Sequence, residues 1–279
     1  MLRVVRETQR FGTIIIVGGG CYGSYYVRQL RRAELAGAAV WDALIVVDRN
    51  AHCQVATLAD EERPTNLRIN VSDWRAYFDA YLGRASEQRA ETSNDVIVPS
   101  PLMPHLMADW LMSRAAARWP DRNITIEPLT AAPATPWERA GDDGTHYVSF
   151  ADWMCPINCI EPARCPHTKG PRSWSMPVAL AQYADQERAA GRQVDGPYVF
   201  HCTHRTHGVG MIDVREVVAA DAAISEYGGE GIHAFLVGTA SHCHGALRKV
   251  TVNPAPNGNA TVPPRTSSGE ISGIERQRP

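Results

Sequence analysis

No stretch of this sequence approaches the ~20 consecutive apolar residues that a membrane-spanning helix needs, and the opening run MLRVVRETQRFG holds no apolar segment of signal-peptide length. The expectation is a cytoplasmic protein without a membrane span. Charge of one sign is lacking too, because 28 Lys and Arg stand against 30 Asp and Glu for a formal charge of −2. That balance excludes a dedicated binder of nucleic acid or anionic lipid. Lysine is nearly absent, Lys169 and Lys249 being the only two, and this carries no functional weight. No repeat of fixed period exists, which excludes a solenoid or propeller.

What is present is apolar content and alternation. With 44% hydrophobic residues in 279, the chain can build a substantial core as one large or two unequal domains. GTIIIVGGG reads as a buried strand running into glycines, CYGSYYVRQLRRAELAG as a helix, and DALIVVD as a second strand ending at Asp48. NLRINVSDWRAYFDAYLG predicts a third strand, a cap at Ser72 or Asp73, and a helix. NDVIVPSP, PHLMADWLMSRAAARW and NITIEPL continue as strand, helix and strand. Beyond residues 130–144, rich in turn formers, come strand candidates HYVSF, PYVFHC, HAFLVGTA and ALRKVTV with two helices among them. The expected fold is therefore α/β, a parallel sheet covered by helices on both faces, with a Cys/His-rich second half that extends the sheet or forms a small lobe. The expected divisions are 1–129, a linker at 130–144, 145–252, and a disordered tail at 253–279 with few large apolar residues.

Gly18, Gly20 and Gly23 fit G-x-G-x-x-G between the first strand and its helix. Glycines at these places allow a tight turn, close backbone approach to a pyrophosphate and close helix-to-strand packing, while the helix N-terminus offers free N–H groups. Asp48, 25 residues after Gly23, ends the second strand, where a carboxylate can accept from ribose hydroxyls. Residues 13–48 thus resemble the dinucleotide-binding half of Rossmann proteins. The VGGG form is similar to the amino-terminal dehydrogenase domain of sirohaem-synthesis enzymes and to the nucleotide-binding regulatory domains of potassium-transport systems. The resemblance covers about a third of the chain and implies a cofactor seat made by Gly18, Gly19, Gly20, Gly23 and Asp48. Asp48 favours NAD because a 2′-phosphate would meet its charge, Arg49 keeps NADP open, and S-adenosylmethionine is a rival ligand.

Seven cysteines in a reducing compartment are expected as thiols or metal ligands, and their odd number argues against complete pairing. Cys155, Cys159 and Cys165 fall within eleven residues among Pro156, Pro162, Pro166 and Pro171, which stiffen a loop and forbid a long helix. Thiolates suit zinc or an iron–sulfur cluster, and a fourth ligand would come from Cys202, Cys243 or His167. YVFHCTH and TASHCHG each place His and Cys directly after an apolar strand, so three segments can converge at one sheet edge beside the nucleotide. Cys21 and Cys53 are expected to pack. His201, His242 and His244 are expected to support the site from behind, whereas His105, His204 and His207 are the candidate proton-transfer residues.

These patterns point to an oxidoreductase that binds NAD or NADP and carries a cysteine-ligated centre of iron–sulfur or zinc type. Its expected partners are a small-molecule substrate or a redox partner protein, with no nucleic acid and no membrane, and self-association is left open. Two other readings stand beside it: a nucleotide- and redox-sensing module without turnover, and a dehydrogenase whose zinc loop is purely structural.

Overall fold

The computed structural model describes residues 7–131, 133–153, 155–156, 158–227 and 231–255. The chain runs β1 (Gln9–Val17), α1 (Cys21–Leu35), β2 (Ala39–Asp48), β3 (Leu67–Val71), α2 (Trp74–Glu87), β4 (Val96–Val98) and α3 (Leu106–Arg118). It continues through β5 (Ile124–Glu127), β6 (Trp137–Ala140), β7 (His146–Ser149), α4 (Met176–Ala189), β8 (Asp195–His201) and β9 (Thr203–His204). It then passes β10 (Gly210–Asp213), α5 (Val214–Ser225), β11 (His233–Ala240) and β12 (His244–Val252).

The architecture is mixed α/β with two mixed sheets. The first has the order β3-β2-β1-β4-β10-β9; its first four strands are parallel, and β10 and β9 are added antiparallel. The second has the order β6-β7-β12-β11-β8, with β5 also paired to β12, and only the β8–β11 pair is parallel.

Period-two alternation fixes the layers. In β1, Ile14 and Ile16 pack on one face with Val27 and Leu30 of α1, while Ile15 and Val17 face Phe78 and Leu82 of α2 on the other. Such a strand, buried on both faces, reads as one unbroken apolar run. α2, α3 and α5 form a middle layer shared by both sheets, because the cluster that holds Ile15 and Phe78 also holds Val217, Phe235, Val237 and Val250. α4 covers the far face of the second sheet through Leu180 and Tyr183 against Leu236 and Leu247. Phe78, Phe200 and Phe235 are fully buried in or against the middle layer, each contributing about 1.5–3 kcal/mol on burial. The α2 cap falls to Asp73, whose carboxylate accepts from Arg75 N at 2.9 Å and Ala76 N at 3.2 Å.

The expected α/β class is observed, but the sheets are not purely parallel, and most of the second half forms a sheet of its own. Only Ser241, His242 and Cys243 separate β11 from β12, far too few residues for the crossover that parallel neighbours need, so the pair is an antiparallel hairpin. β6 and β7 pair likewise across a short turn, and β6 lies inside the stretch read as a linker. The strand at residues 124–127, read as a fifth member of the first sheet, pairs with β12 of the second. The second half extends the first sheet only through β9 and β10.

A buried ion network ties the middle layer to the second sheet. Arg248 on β12, 4% exposed, donates to Asp109 of α3, to Asp143 at 2.6 Å and to Thr145 at 2.8 Å. No helix among the described residues is long and apolar enough to cross a membrane. Of the tail expected from residue 253, Asn253 N donates to Asn123 O at 2.9 Å, and residues 256–279 lie outside the described residues.

Candidate functional site

β1 turns into α1 at Gly18, which has φ +86°, a left-handed conformation that only glycine adopts without cost. A Cβ on Gly23 would overlap the Gly18 carbonyl oxygen, so α1 sits as close to β1 as a backbone can. Gly20 caps α1 without any side-chain bond, no acidic residue occupies the first turn, and a Cβ at Gly20 would meet nothing within 4 Å. The turn therefore presents a helix N-terminus with open space in front of it, the electrostatics an anion favours. Asp48 accepts from Gly19 N at 2.6 Å and from Asn50 N at 2.8 Å. Two of a carboxylate's four acceptor sites remain for hydroxyls. Cys53 packs its sulfur against Gly19, and Cys21 is exposed at the first helical position.

The Cys/His segments meet around Glu161, a residue the sequence reading did not single out. Its side chain, 6% exposed, accepts from Ser241 Oγ at 2.6 Å, His242 N at 2.8 Å and Cys243 N at 3.0 Å, and lies 3.9 Å from His204 Nδ1. Burial alone would raise its pKa, but the bonds from Ser241 and His242 and the nearby His204 hold it below the ordinary carboxylate value. Arg172 donates to its backbone oxygen. Glu161 thus fastens the proline-rich cysteine loop to the β11–β12 turn. Its own backbone has φ +48°.

All seven cysteines are free. Burial pushes the Cys202 and Cys243 thiols up to about 12, and Trp174 Nε1 donates to Cys243 Sγ at 3.2 Å. Burial also raises Cys155, with a further rise from Cys159 and Cys165 close by. Cys165 behaves in the opposite way: backbone N–H groups of Thr168 and His167 point at its sulfur and lower its pKa. Its turn is a tight hairpin, with Cys165 N bonded to Gly170 O and Lys169 N to Cys165 O, both at 2.9 Å. His167 stacks on Trp153 at 4.3 Å. Among the described residues no three His, Cys, Asp or Glu side chains are arranged to hold a metal ion. His201 and His242 sit ring to ring at 4.7 Å, and His201 Nε2 and His242 Nδ1 are buried without hydrogen-bond partners.

A cleft of about 480 Å³ lies between the two halves. One side is the end of β4, with Pro99, Ser100 and Pro101, together with Tyr26 of α1; the other is Tyr147, Trp153, Ser241 and His244. Cys155 and Cys202 reach it, whereas Cys159, Cys165 and Cys243 do not line it. Tyr26 is pushed up to about 12 by burial, with Cys202 nearby. His244 Nδ1 lies 2.9 Å from Ser149 Oγ, and burial lowers the His244 pKa.

The three histidines proposed for proton transfer lie elsewhere. His105 caps α3 beside the Arg248 network, 3.9 Å from Asp109 and 4.0 Å from Asp143, and burial lowers its pKa. His204 faces Glu161, with its pKa also lowered by burial. His207 is exposed on the turn Thr206–Gly208, which packs on α1. The sequence flagged TASHCHG but not which of its histidines faces the cleft. Ser149, whose hydroxyl orients His244 from 95 residues away, carried no local signal at all.

No curated protein and no solved structure matches the chain. A family model described as "Uncharacterized protein, C-terminal domain" matches residues 107–253, more than half of the chain. The match spans the second sheet, β9, β10, α5 and all the segments around Glu161, and it leaves the glycine turn outside. The chain belongs to the family that this C-terminal domain defines.

Proposed function

We propose that the protein is an oxidoreductase that uses a nicotinamide dinucleotide, seated by a Rossmann-type unit formed by β1 to β4. The observation that carries this reading is the glycine turn: a left-handed Gly18, an open Gly20 at an uncapped helix N-terminus and a Gly23 without room for a side chain. The parallel order β3-β2-β1 is that of one mononucleotide-binding half of such folds, and β4 lies on the other side of β1, where the second half of such a sheet begins. In this reading Gly18, Gly19, Gly20 and Gly23 seat the pyrophosphate, and Asp48 accepts from the adenosine ribose, which favours NAD over NADP. The reactive end of the dinucleotide then extends past β4 into the cleft.

A cysteine-held metal is the second part of the proposal, with Cys155, Cys159 and Cys165 as ligands and Cys202 or Cys243 completing the set. It is favoured by the Cys165 turn, whose N–H groups stabilise a thiolate. The sulfurs would have to draw together on binding. An iron–sulfur cluster there would supply single-electron transfer, and zinc would supply a Lewis acid.

Calorimetry of folded protein with NAD(H) and NADP(H) tests the first part. The expected result is saturable binding heat, NAD(H) being the tighter. No heat with either, or heat with S-adenosylmethionine alone, overturns it. Iron and zinc analysis of protein purified without oxygen tests the second part, and absence of both at stoichiometric level removes the metal.

A further inference from the structure

The cleft between the halves has a composition that selects its occupant. Its apolar walls are Tyr26, Pro99, Pro101, Pro104, Tyr147 and Trp153, and the rest is alanine, glycine, hydroxyls, two thiols and one imidazole. No Asp, Glu, Lys or Arg among the described residues lines it, although more than a fifth of the chain is charged. With Cys155 and Cys202 as neutral thiols, the state that burial favours for both, a charged ligand would give up its hydration without meeting an opposite charge, whereas an apolar one would gain from leaving water.

The single imidazole has a defined tautomer. Ser149 Oγ lies 2.7 Å from the Ala151 carbonyl oxygen, 2.9 Å from Ala151 N and 2.9 Å from His244 Nδ1. A carbonyl cannot donate, so the one hydroxyl proton goes to Ala151 O, and Ser149 can only accept from His244. The proton of the neutral His244 ring is therefore on Nδ1. Nε2 keeps its lone pair, has no partner among the described residues, and belongs to a side chain lining the cleft. Ser149 is itself 4% exposed and pinned on both sides, so the ring is held by a rigid support.

We propose that this cleft binds an uncharged, largely apolar ligand carrying a hydroxyl group, and that His244 Nε2 accepts the hydrogen bond from that hydroxyl. His244 is then the residue that touches the oxygen of the ligand, a role distinct from those of His105, His204 and His207. The inference deepens the proposed function, since the cleft is where a substrate would meet the dinucleotide, yet its test needs no dinucleotide.

Benzyl alcohol, benzoate, benzylammonium and toluene share a ring and differ in the polar group. Ligand-detected NMR titrations are expected to give benzyl alcohol at least about tenfold tighter binding than either ion and measurably tighter binding than toluene, tenfold being about 1.4 kcal/mol. His244→Phe should bring benzyl alcohol to the affinity of toluene. Independently of that variant, ¹⁵N spectra of the native protein should show the His244 proton on Nδ1, and Ser149→Ala should release it to a mixture of tautomers. Equal or tighter binding of either ion, binding of none of the four probes, or a proton on Nε2 of the neutral ring each overturns the proposal. Dinucleotide calorimetry on the same sample separates the two readings: benzyl alcohol binding without dinucleotide heat sinks only the proposed cofactor.

Discussion

The two sheets carry their chemistry in opposite ways. At the edge of the first, the candidate site is made of backbone: Gly18, Gly20 and Gly23 act by lacking side chains, and all lie within six residues. At the edge of the second, the site is made of side chains brought from four separate segments and fastened by one carboxylate, Glu161, to partners 80 to 82 residues away. A backbone site depends on local sequence and tolerates little substitution. A side-chain site depends on long-range closure, so its parts should fail separately.

The largest expected effect joins both regions. Arg248→Met removes the cation shared by Asp143, which is partly exposed, and Asp109, which keeps Arg75 at 2.9 Å, so the cost in urea denaturation is expected at the low end for a broken buried pair, about 3 kcal/mol. Bonds from Thr145 and Arg248 outweigh burial and hold Asp143 at about 2 against an ordinary value of 3.8. Its contribution is therefore present above about pH 4 and is lost as pH falls towards 2. Acid denaturation should accordingly be shallower in the variant over that window. An unchanged acid profile would show that Arg248 does not set the Asp143 pKa.

Next in size, Gly23→Val should act on the first region alone. Forcing a side chain into the Gly18 carbonyl is expected to cost about 1–3 kcal/mol and to abolish dinucleotide binding, while His244 keeps its tautomer by ¹⁵N NMR. Retained dinucleotide affinity would contradict the close-packed turn. Glu161→Gln is the mirror experiment. It keeps the shape but removes one acceptor oxygen, and about 1–3 kcal/mol should be lost with the glycine turn intact. Should dinucleotide affinity fall as far as stability does, the two regions would not be separate.

The smallest effect is one of rate. With metal removed by a chelator, Cys165 should react with iodoacetamide at pH 7 before Cys243, which is equally buried but whose thiol burial pushes up to about 12. Peptide mapping of the labelled sites checks this, and labelling of Cys243 first would refute the thiolate assigned to the Cys165 turn.

The same contrast explains what could be read from the sequence. β1, the glycine turn, α1 and β2 were legible because each signal is contiguous: an apolar run, a glycine spacing, a 3.6-residue period, a terminal acid. The second sheet was harder. Apolar runs revealed β8, β11 and β12 as strands, but their direction depends on connection length, and the three-residue turn at Ser241, His242 and Cys243 was decisive. β10, four buried residues that run straight into α5, was not read as a strand, because so short a run carries no alternation of its own. Glu161 was invisible because its partners are mostly backbone N–H groups, which no residue type announces. The convergence of cysteine and histidine segments was legible as strand-end placement, whereas the choice of His244 over its neighbours required the position of Ser149.

One consequence follows from the path of the chain between the sheets. β5 leaves the first half to pair with β12, and β10 and α5 return to complete the first sheet and its helical cover. The halves are interlaced rather than strung in series, so cutting between them would strip each of a strand or helix that the other supplies. A fragment holding only the family-matched portion would leave unpaired the edge of β10 that normally bonds to β4 at Ile97, and it should cling to itself rather than stand alone.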